Sequence, residues 1–206
     1  QGVRKTVDLQ RDWWVIEGLV ARNGTDNVFR VDGNHNVLRR ISAYDASDNI
    51  NSSVIMLLGD NNLVEDGLVA GTGRYMAEVF QGSGNTLRRV FTMWRGWSGR
   101  DFCGVAWPNG NNIGVYNASN ATVENVVAYG RSLKGVMVQA NADTAVANNN
   151  AVLGSIAILQ GRDYDGSVWT YGTGQAQPTS RPGPTTCTGI TSWVWLAQRY
   201  GIGLYG

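Results

Sequence analysis

Val15-Ile16-Glu17-Gly18-Leu19 is said again, in altered letters, as Val37-Leu38-Arg39-Arg40-Ile41, Leu63-Val64-Glu65-Asp66-Gly67, Thr86-Leu87-Arg88-Arg89-Val90, Thr122-Val123-Glu124-Asn125-Val126 and Ala145-Val146-Ala147-Asn148. Aligned on the apolar residue, Ile16, Leu38, Val64, Leu87, Val123 and Val146 form a column at steps of roughly 22, 26, 23, 36 and 23 residues, the range of stacked repeats. A second column precedes it by seven residues, at Leu9, Val31, Leu57, Phe80 and Tyr116, with Val138 one residue further out. Each apolar run is short, rich in β-branched residues and bounded by Gly, Asn, Asp or Ser, so the runs read as strands and the punctuation as turns. No window sustains a helical period.

A unit of two or three strands of three to five residues cannot bury its apolar face alone, and stacking one unit on the next builds a continuous core. The expected fold is therefore all-β: a parallel β-helix of about seven coils of ~22 residues. Residues 1–206 read as a single domain of this kind, with long loop insertions at 93–112 and 162–192. Columns become ladders, because equivalent residues of successive strands lie about 4.8 Å apart. The column after the apolar one was not used in the alignment and tests it: Glu17, Arg39, Glu65, Arg88, Glu124, Ala147. Its signs alternate, and unlike charges opposite one another are worth roughly 0.2–1 kcal/mol each, so the line reads as a register device. The next column, Gly18, Arg40, Asp66, Arg89, Asn125, Asn148, favours residues that tolerate a left-handed bend and reads as a corner between sheets. The two arginines are its weak points.

The phrase Asp12-Trp13-Trp14-Val15-Ile16-Glu17-Gly18-Leu19, followed by Asp26-Asn27-Val28-Phe29 and Asn34-His35-Asn36-Val37-Leu38, resembles the coil repeat of right-handed parallel β-helix proteins of the pectin-lyase-like superfamily. The resemblance covers about residues 3–161 and weakly the rest. It supplies the handedness, together with the usual right-handed crossover of parallel strands. For activity it leaves several classes open, since polysaccharide lyases, glycoside hydrolases, tailspikes, adhesins and surface scaffolds share the coil.

The 206 residues include 27 Gly and only 16% charged residues, with a net charge of +1, which gives no electrostatic case for nucleic acid. No apolar stretch approaches a membrane span. The composition fits an extracellular or cell-surface protein. Val7 and Leu9 already occupy the strand column, and Gly201-Ile202-Gly203-Leu204-Tyr205-Gly206 stops in mid-coil, so the chain reads as a segment of a longer solenoid, open at both ends. Cys103 and Cys187 lie in the two insertions; they are either two unrelated small side chains or a disulfide joining loops on one flank. Four Asn-x-Ser/Thr sequons, at Asn23, Asn51, Asn117 and Asn120, fall in turns and are glycosylation candidates, although Asn also serves turns for conformational reasons alone.

Six of the eight tryptophans lie in or beside the insertions, at Trp94, Trp97, Trp107, Trp169, Trp193 and Trp195. Flat indole faces beside Arg, Asp and Asn suit sugar rings, which makes these the carbohydrate-binding candidates; the alternative is that they fold inward as a satellite core. An enzyme on this scaffold is implied by the resemblance to need either calcium held by several carboxylates with an Arg or Lys base, or two or three aspartates on neighbouring coils. Asp101, Asp163 and Asp165, with Arg100 nearby, are the catalytic candidates. No Asp-Asp pair followed by Gly-His-Gly and no Arg-x-Pro-x-x-Arg occurs. His35, the one histidine, sits in a turn and reads as a surface residue, and no His/Cys cluster has metal spacing. No cofactor is expected, calcium entering only with a lyase. Two functions remain: an extracellular structural or binding module, whose partners are polysaccharide or further copies stacked end to end, or a lyase or hydrolase acting on an acidic polysaccharide.

Overall fold

The computed structural model describes residues 4–47, 51–96, 110–130, 132, 134–140, 147–159 and 200–205, with residues 159 and 200–205 as backbone alone. Among them there are strands and turns and no helix. One sheet consists of β1 (Lys5–Leu9), β4 (Asn27–Val31), β7 (Ser53–Leu57), β9 (Tyr75–Phe80), β11 (Asn111–Tyr116), β14 (Lys134–Gln139) and β17 (Tyr200–Tyr205), in that order. The second runs through β2 (Val15–Glu17), β5 (Val37–Arg39), β8 (Leu63–Thr72), β10 (Thr86–Gly96), β12 (Thr122–Glu124) and β15 (Ala151–Leu153). It carries a further limb, formed by β3 (Val20–Arg22), β6 (Ser42–Tyr44), the later halves of β8 and β10, β13 (Val127–Gly130) and β16 (Ile156–Leu159). Every pairing is parallel. Parallel neighbours need a crossover, and here the crossover from each strand to its neighbour is made by strands of the other sheet.

The apolar column of the second sheet is Ile16, Leu38, Val64, Leu87, Val123 and Val152. Leu38, Val64, Leu87 and Val123 are buried, and they belong to one cluster with Phe29, Ile55, Leu57, Val79 and Val115 from the other sheet. The core therefore lies between the sheets. Burying each such side chain fully is worth about 1.5–3 kcal/mol.

Two expected rows shift. The sixth place in the apolar column belongs to Val152 rather than Val146, and Leu153 and Gly154 follow it where Ala147 and Asn148 were expected. Val146 lies outside the described residues; Asn148-Asn149-Asn150 form the turn before β15, in the place that Ser119-Asn120-Ala121 take before β12. In the other sheet the buried row is Leu9, Val31, Leu57, Val79, Val115 and Val138, so Phe80 and Tyr116 are one residue out of step. Gln81 and Asn117, each at positive φ (65° and 53°), sit in these two turns, which are one residue longer than their counterparts. Phe80 and Tyr116 then point away from the core and stack on each other, ring centroids 5.7 Å apart. The first insertion also contracts: residues 93–96 continue β10 and 111–112 open β11.

The corner that follows β2, β5, β12 and β15, and falls within β8 and β10, is uniform. Gly18, Arg40, Asp66, Arg89, Asn125 and Gly154 all have φ between 51° and 68°. For the arginines that conformation costs about 1–2 kcal/mol. Both are held by carboxylates of the preceding unit: Arg40 pairs with Glu17, and Arg89 with Glu65 (2.9 Å) and Asp66 (2.6 Å). In the column beside them Arg39 pairs with Glu17 at 2.7 Å and Arg88 with Glu65 at 2.8 Å. Arg39 also stands in register with Glu65, and Arg88 with Glu124, but no ion pair closes these two steps among the described residues. The seam is thus two blocks rather than one continuous line.

Candidate functional site

The turn that enters the second sheet repeats as Asp12-Trp13-Trp14, Asn34-His35-Asn36, Asp60-Asn61-Asn62, Ser83-Gly84-Asn85, Ser119-Asn120-Ala121 and Asn148-Asn149-Asn150. Its middle residue is left-handed every time, with φ from 54° to 71°. Side chains of its flanks satisfy backbone donors of the neighbouring unit. The N–H of Trp14 donates to Asn36 Oδ1, that of Asn36 to Asn62 Oδ1, and that of Asn62 to Asn85 Oδ1, each at 2.8 Å. On the outer flank the N–H of Asn34 donates to Asp12 Oδ1, that of Asp60 to Asn34 Oδ1 and that of Ser83 to Asp60 Oδ1, at 2.7–2.8 Å. Asn36, Asn62 and Asn85 are buried and each Oδ1 is satisfied by these bonds; Asn85 Nδ2 also donates to Gly59 O at 2.8 Å, whereas Asn36 Nδ2 and Asn62 Nδ2 are buried without a protein acceptor among the described residues.

This ridge ends in aromatic rings. Trp13 stacks on His35, centroids 4.2 Å apart and planes 7° from parallel, and the indole is still 72% exposed. Trp14 and Val15 beside it are 53% and 57% exposed. The rigid turn fixes the Trp13 backbone through its N–H, which donates to Asn34 O at 3.0 Å. One ring face rests on the imidazole and the other is open, with Asp12 and Asn34 alongside. That is a flat apolar platform next to polar groups.

A different polar group lies on the seven-stranded sheet. Glu78 is 4% exposed, stands in register with Met56 and Gly114, and accepts a hydrogen bond from Ser53 Oγ. Burial pushes its carboxyl up to about 7, with the Ser53 bond and the Arg74 charge pulling the other way. The Arg74 guanidinium lies 5.2 Å from the Tyr75 ring centroid and donates to Asn51 Oδ1 at 2.6 Å. The Tyr75 hydroxyl is pushed up, by burial first and then by the Glu78 charge, and Lys134 is pushed down by burial and by Arg74. Tyr75 lies across β11 because position 114 is glycine; a Cβ there would meet the ring at 2.7 Å.

Of the tryptophans expected to bind carbohydrate, Trp94 is described. It is half-buried against the core and its Nε1–H donates to Gly73 O at 2.8 Å. Gly110 makes room for it, since a Cβ there would fall 2.1 Å from the indole. Trp97, Trp107, Trp169, Trp193, Trp195, the catalytic candidates Arg100, Asp101, Asp163 and Asp165, and both Cys103 and Cys187 lie outside the described residues. The sequons are placed differently from one another: Asn23 and Asn51 are exposed, Asn117 is half-buried, and Asn120 is exposed with its carboxamide donating to Ser83 Oγ at 3.0 Å. No group of three or more His, Cys, Asp or Glu among the described residues is placed to hold a metal ion, and no helix there is long and apolar enough to cross a membrane.

Sequence reasoning missed Trp13, Trp14 and Glu78. The exposed indoles were hidden because they sit inside the repeat itself, where apolar letters read as core. Glu78 stands out only once its row is known: its partners there are methionine and glycine. No family model, curated protein or solved structure matches the chain.

Proposed function

We propose that the chain is a right-handed parallel β-helix of the pectin-lyase-like kind, serving outside the cell as a structural and binding module that contacts polysaccharide through exposed aromatic rings. The parallel registers and the repeated left-handed corners support the β-helix, and the low charge content supports an extracellular setting. The observation that carries the binding reading is the Trp13 ring, stacked on His35 and 72% exposed. Sugar rings present an apolar face for such a platform and hydroxyls for the Asp12 and Asn34 side chains next to it. An aromatic platform already held in place loses little freedom on binding, so its contribution reaches the ligand undiminished.

The test is affinity electrophoresis of the full chain in gels containing neutral or acidic polysaccharides, with Trp13→Ala and Trp14→Ala beside the wild type. Retardation by at least one polymer is expected, weakened about tenfold by Trp13→Ala, the loss of one stacking contact of roughly 1.4 kcal/mol. Wild-type migration unaffected by every polymer, or retardation indifferent to both substitutions, would count against the reading.

A further inference from the structure

The connection from β6 to β7 is longer than its neighbours. Arg22, Tyr44 and Ala70 share one register and Asn27, Ser53 and Tyr75 another, so four additional residues fall between Tyr44 and Ser53. Where this longer connection leaves the corner there is an open cleft of about 450 Å³, in the size range of small-ligand sites. It is lined by Asn23 and Thr25 of the first unit, Asp45 and Ser47 of the second and Thr72 of the third. Its frame is fixed by the backbone. The N–H of Asn23 donates to Tyr44 O at 3.0 Å, that of Asp45 to Ala70 O at 3.2 Å and that of Ala46 to Thr72 O at 3.0 Å, while Thr72 Oγ1 donates to Ala46 O at 3.0 Å. The third unit also places the Asp45 carboxylate. Its Oδ1 accepts from the N–H of Thr72 at 3.2 Å, and it fits there because position 71 is glycine, where a Cβ would fall 2.1 Å from that oxygen.

Asp45 Oδ2 and the Asn23 carboxamide make no hydrogen bond among the described residues. The two residues hold the same left-handed corner of successive units, φ 56° and 63°, so an acceptor and a donor stand about 4.8 Å apart at the mouth of the cleft. Neighbouring hydroxyls of a sugar ring, each both donor and acceptor, match such a pair. No residue lining the cleft is cationic, and its one carboxylate repels anions. We propose that this cleft binds one neutral sugar residue, Asp45 Oδ2 accepting from a ring hydroxyl and Asn23 Nδ2 donating to the next, and that it discriminates against uronates. The site is separate from the Trp13 platform, which belongs to the turn before β2, and either one can fail without the other.

The test follows amide chemical shifts of the isotope-labelled full chain during titration with glucose, galactose, mannose, N-acetylglucosamine and glucuronate. At least one neutral sugar is expected to shift the amides of Asn23, Thr25, Asp45, Ser47 and Thr72 saturably, and to bind several-fold more tightly than glucuronate. Asp45→Asn keeps an Oδ1 for the Thr72 N–H, and Asn23→Gly suits the positive φ, so each leaves the corner in place. Each weakens binding about tenfold, the loss of one hydrogen bond to the ligand. No saturable shift at these amides with any neutral sugar, glucuronate binding as tightly, or an affinity unchanged in either variant overturns the proposal. Shifts confined to residues 13–15 and 34–36 sink the cleft and leave the Trp13 reading standing. Should a variant not fold, the comparison of neutral sugars with glucuronate on the wild type decides.

Discussion

Glu65 on β8 is half-buried between Arg88 and Arg89, whereas Glu78 on β9 is 4% exposed and has one serine for a partner. The arginines hold Glu65 below the usual carboxylate range, the Arg88 hydrogen bond being the main cause, and Asp66 is held low in the same way by Arg89. A carboxyl held low in the folded state contributes stability above its ordinary value and loses it as pH falls. Glu78 is the reverse. Its folded value is raised, so its contribution is fully present below about pH 4.5 and is lost as pH rises through about 7, a change on the order of 3 kcal/mol. The same side chain, on strands of neighbouring units, therefore makes one part of the molecule sensitive to acid and another to base. The difference follows from what the next unit supplies, an arginine fork in one case and apolar walls in the other.

The comparison breaks most sharply at Ser53. Ser53→Val removes the hydroxyl and leaves Glu78 without its donor, an expected loss of about 2–3 kcal/mol at pH 8, where the carboxyl is ionised, and about 1 kcal/mol at pH 5. Urea unfolding at the two pH values measures it, and equal losses would put Glu78 on the same footing as Glu65. A smaller effect belongs to the seam. Arg88→Ala should cost about 1 kcal/mol at pH 7 and low salt, with the loss shrinking below pH 4 and in 1 M salt, as expected for a half-buried pair still reached by solvent. A loss insensitive to both would mean that Arg88 acts through packing.

Much of this architecture was legible in the letters. The apolar column from Ile16 to Val123 and the alternating Glu17-Arg39-Glu65-Arg88-Glu124 line share one register, which is why a fixed spacing found both. The spacing failed at two kinds of place. Before β15 a longer connection displaced the next match to Val152, and in two turns an extra residue carried Phe80 and Tyr116 out of the buried row. Because side chains alternate along a strand, a slip of one residue exchanges the faces. Glu78 was hidden for a different reason: it shares a face with Phe80, away from the core row of Ala77 and Val79, and so reads as an ordinary solvent-facing position in Tyr75-Met76-Ala77-Glu78-Val79-Phe80 once that row is placed. Its burial is set by residues far away in the chain. The asparagine ladder was obscured for another reason: Asn36, Asn62 and Asn85 look like common turn residues until their carboxamide oxygens are seen accepting from the backbone of the preceding unit. Arg40 and Arg89 were the doubtful members of the corner, and the carboxylates beside them explain how a bulky residue is held there.

All of these statements depend on successive units standing directly over one another, and a pair of spin labels at Glu17 and Glu124 measures that directly. The two positions are four steps apart in one column, so pulsed electron paramagnetic resonance should give a narrow distribution near 19 Å between backbone sites, widened by the label arms. A distribution centred beyond about 35 Å, where four rungs of a parallel sheet cannot reach, would contradict the stack and every register drawn from it.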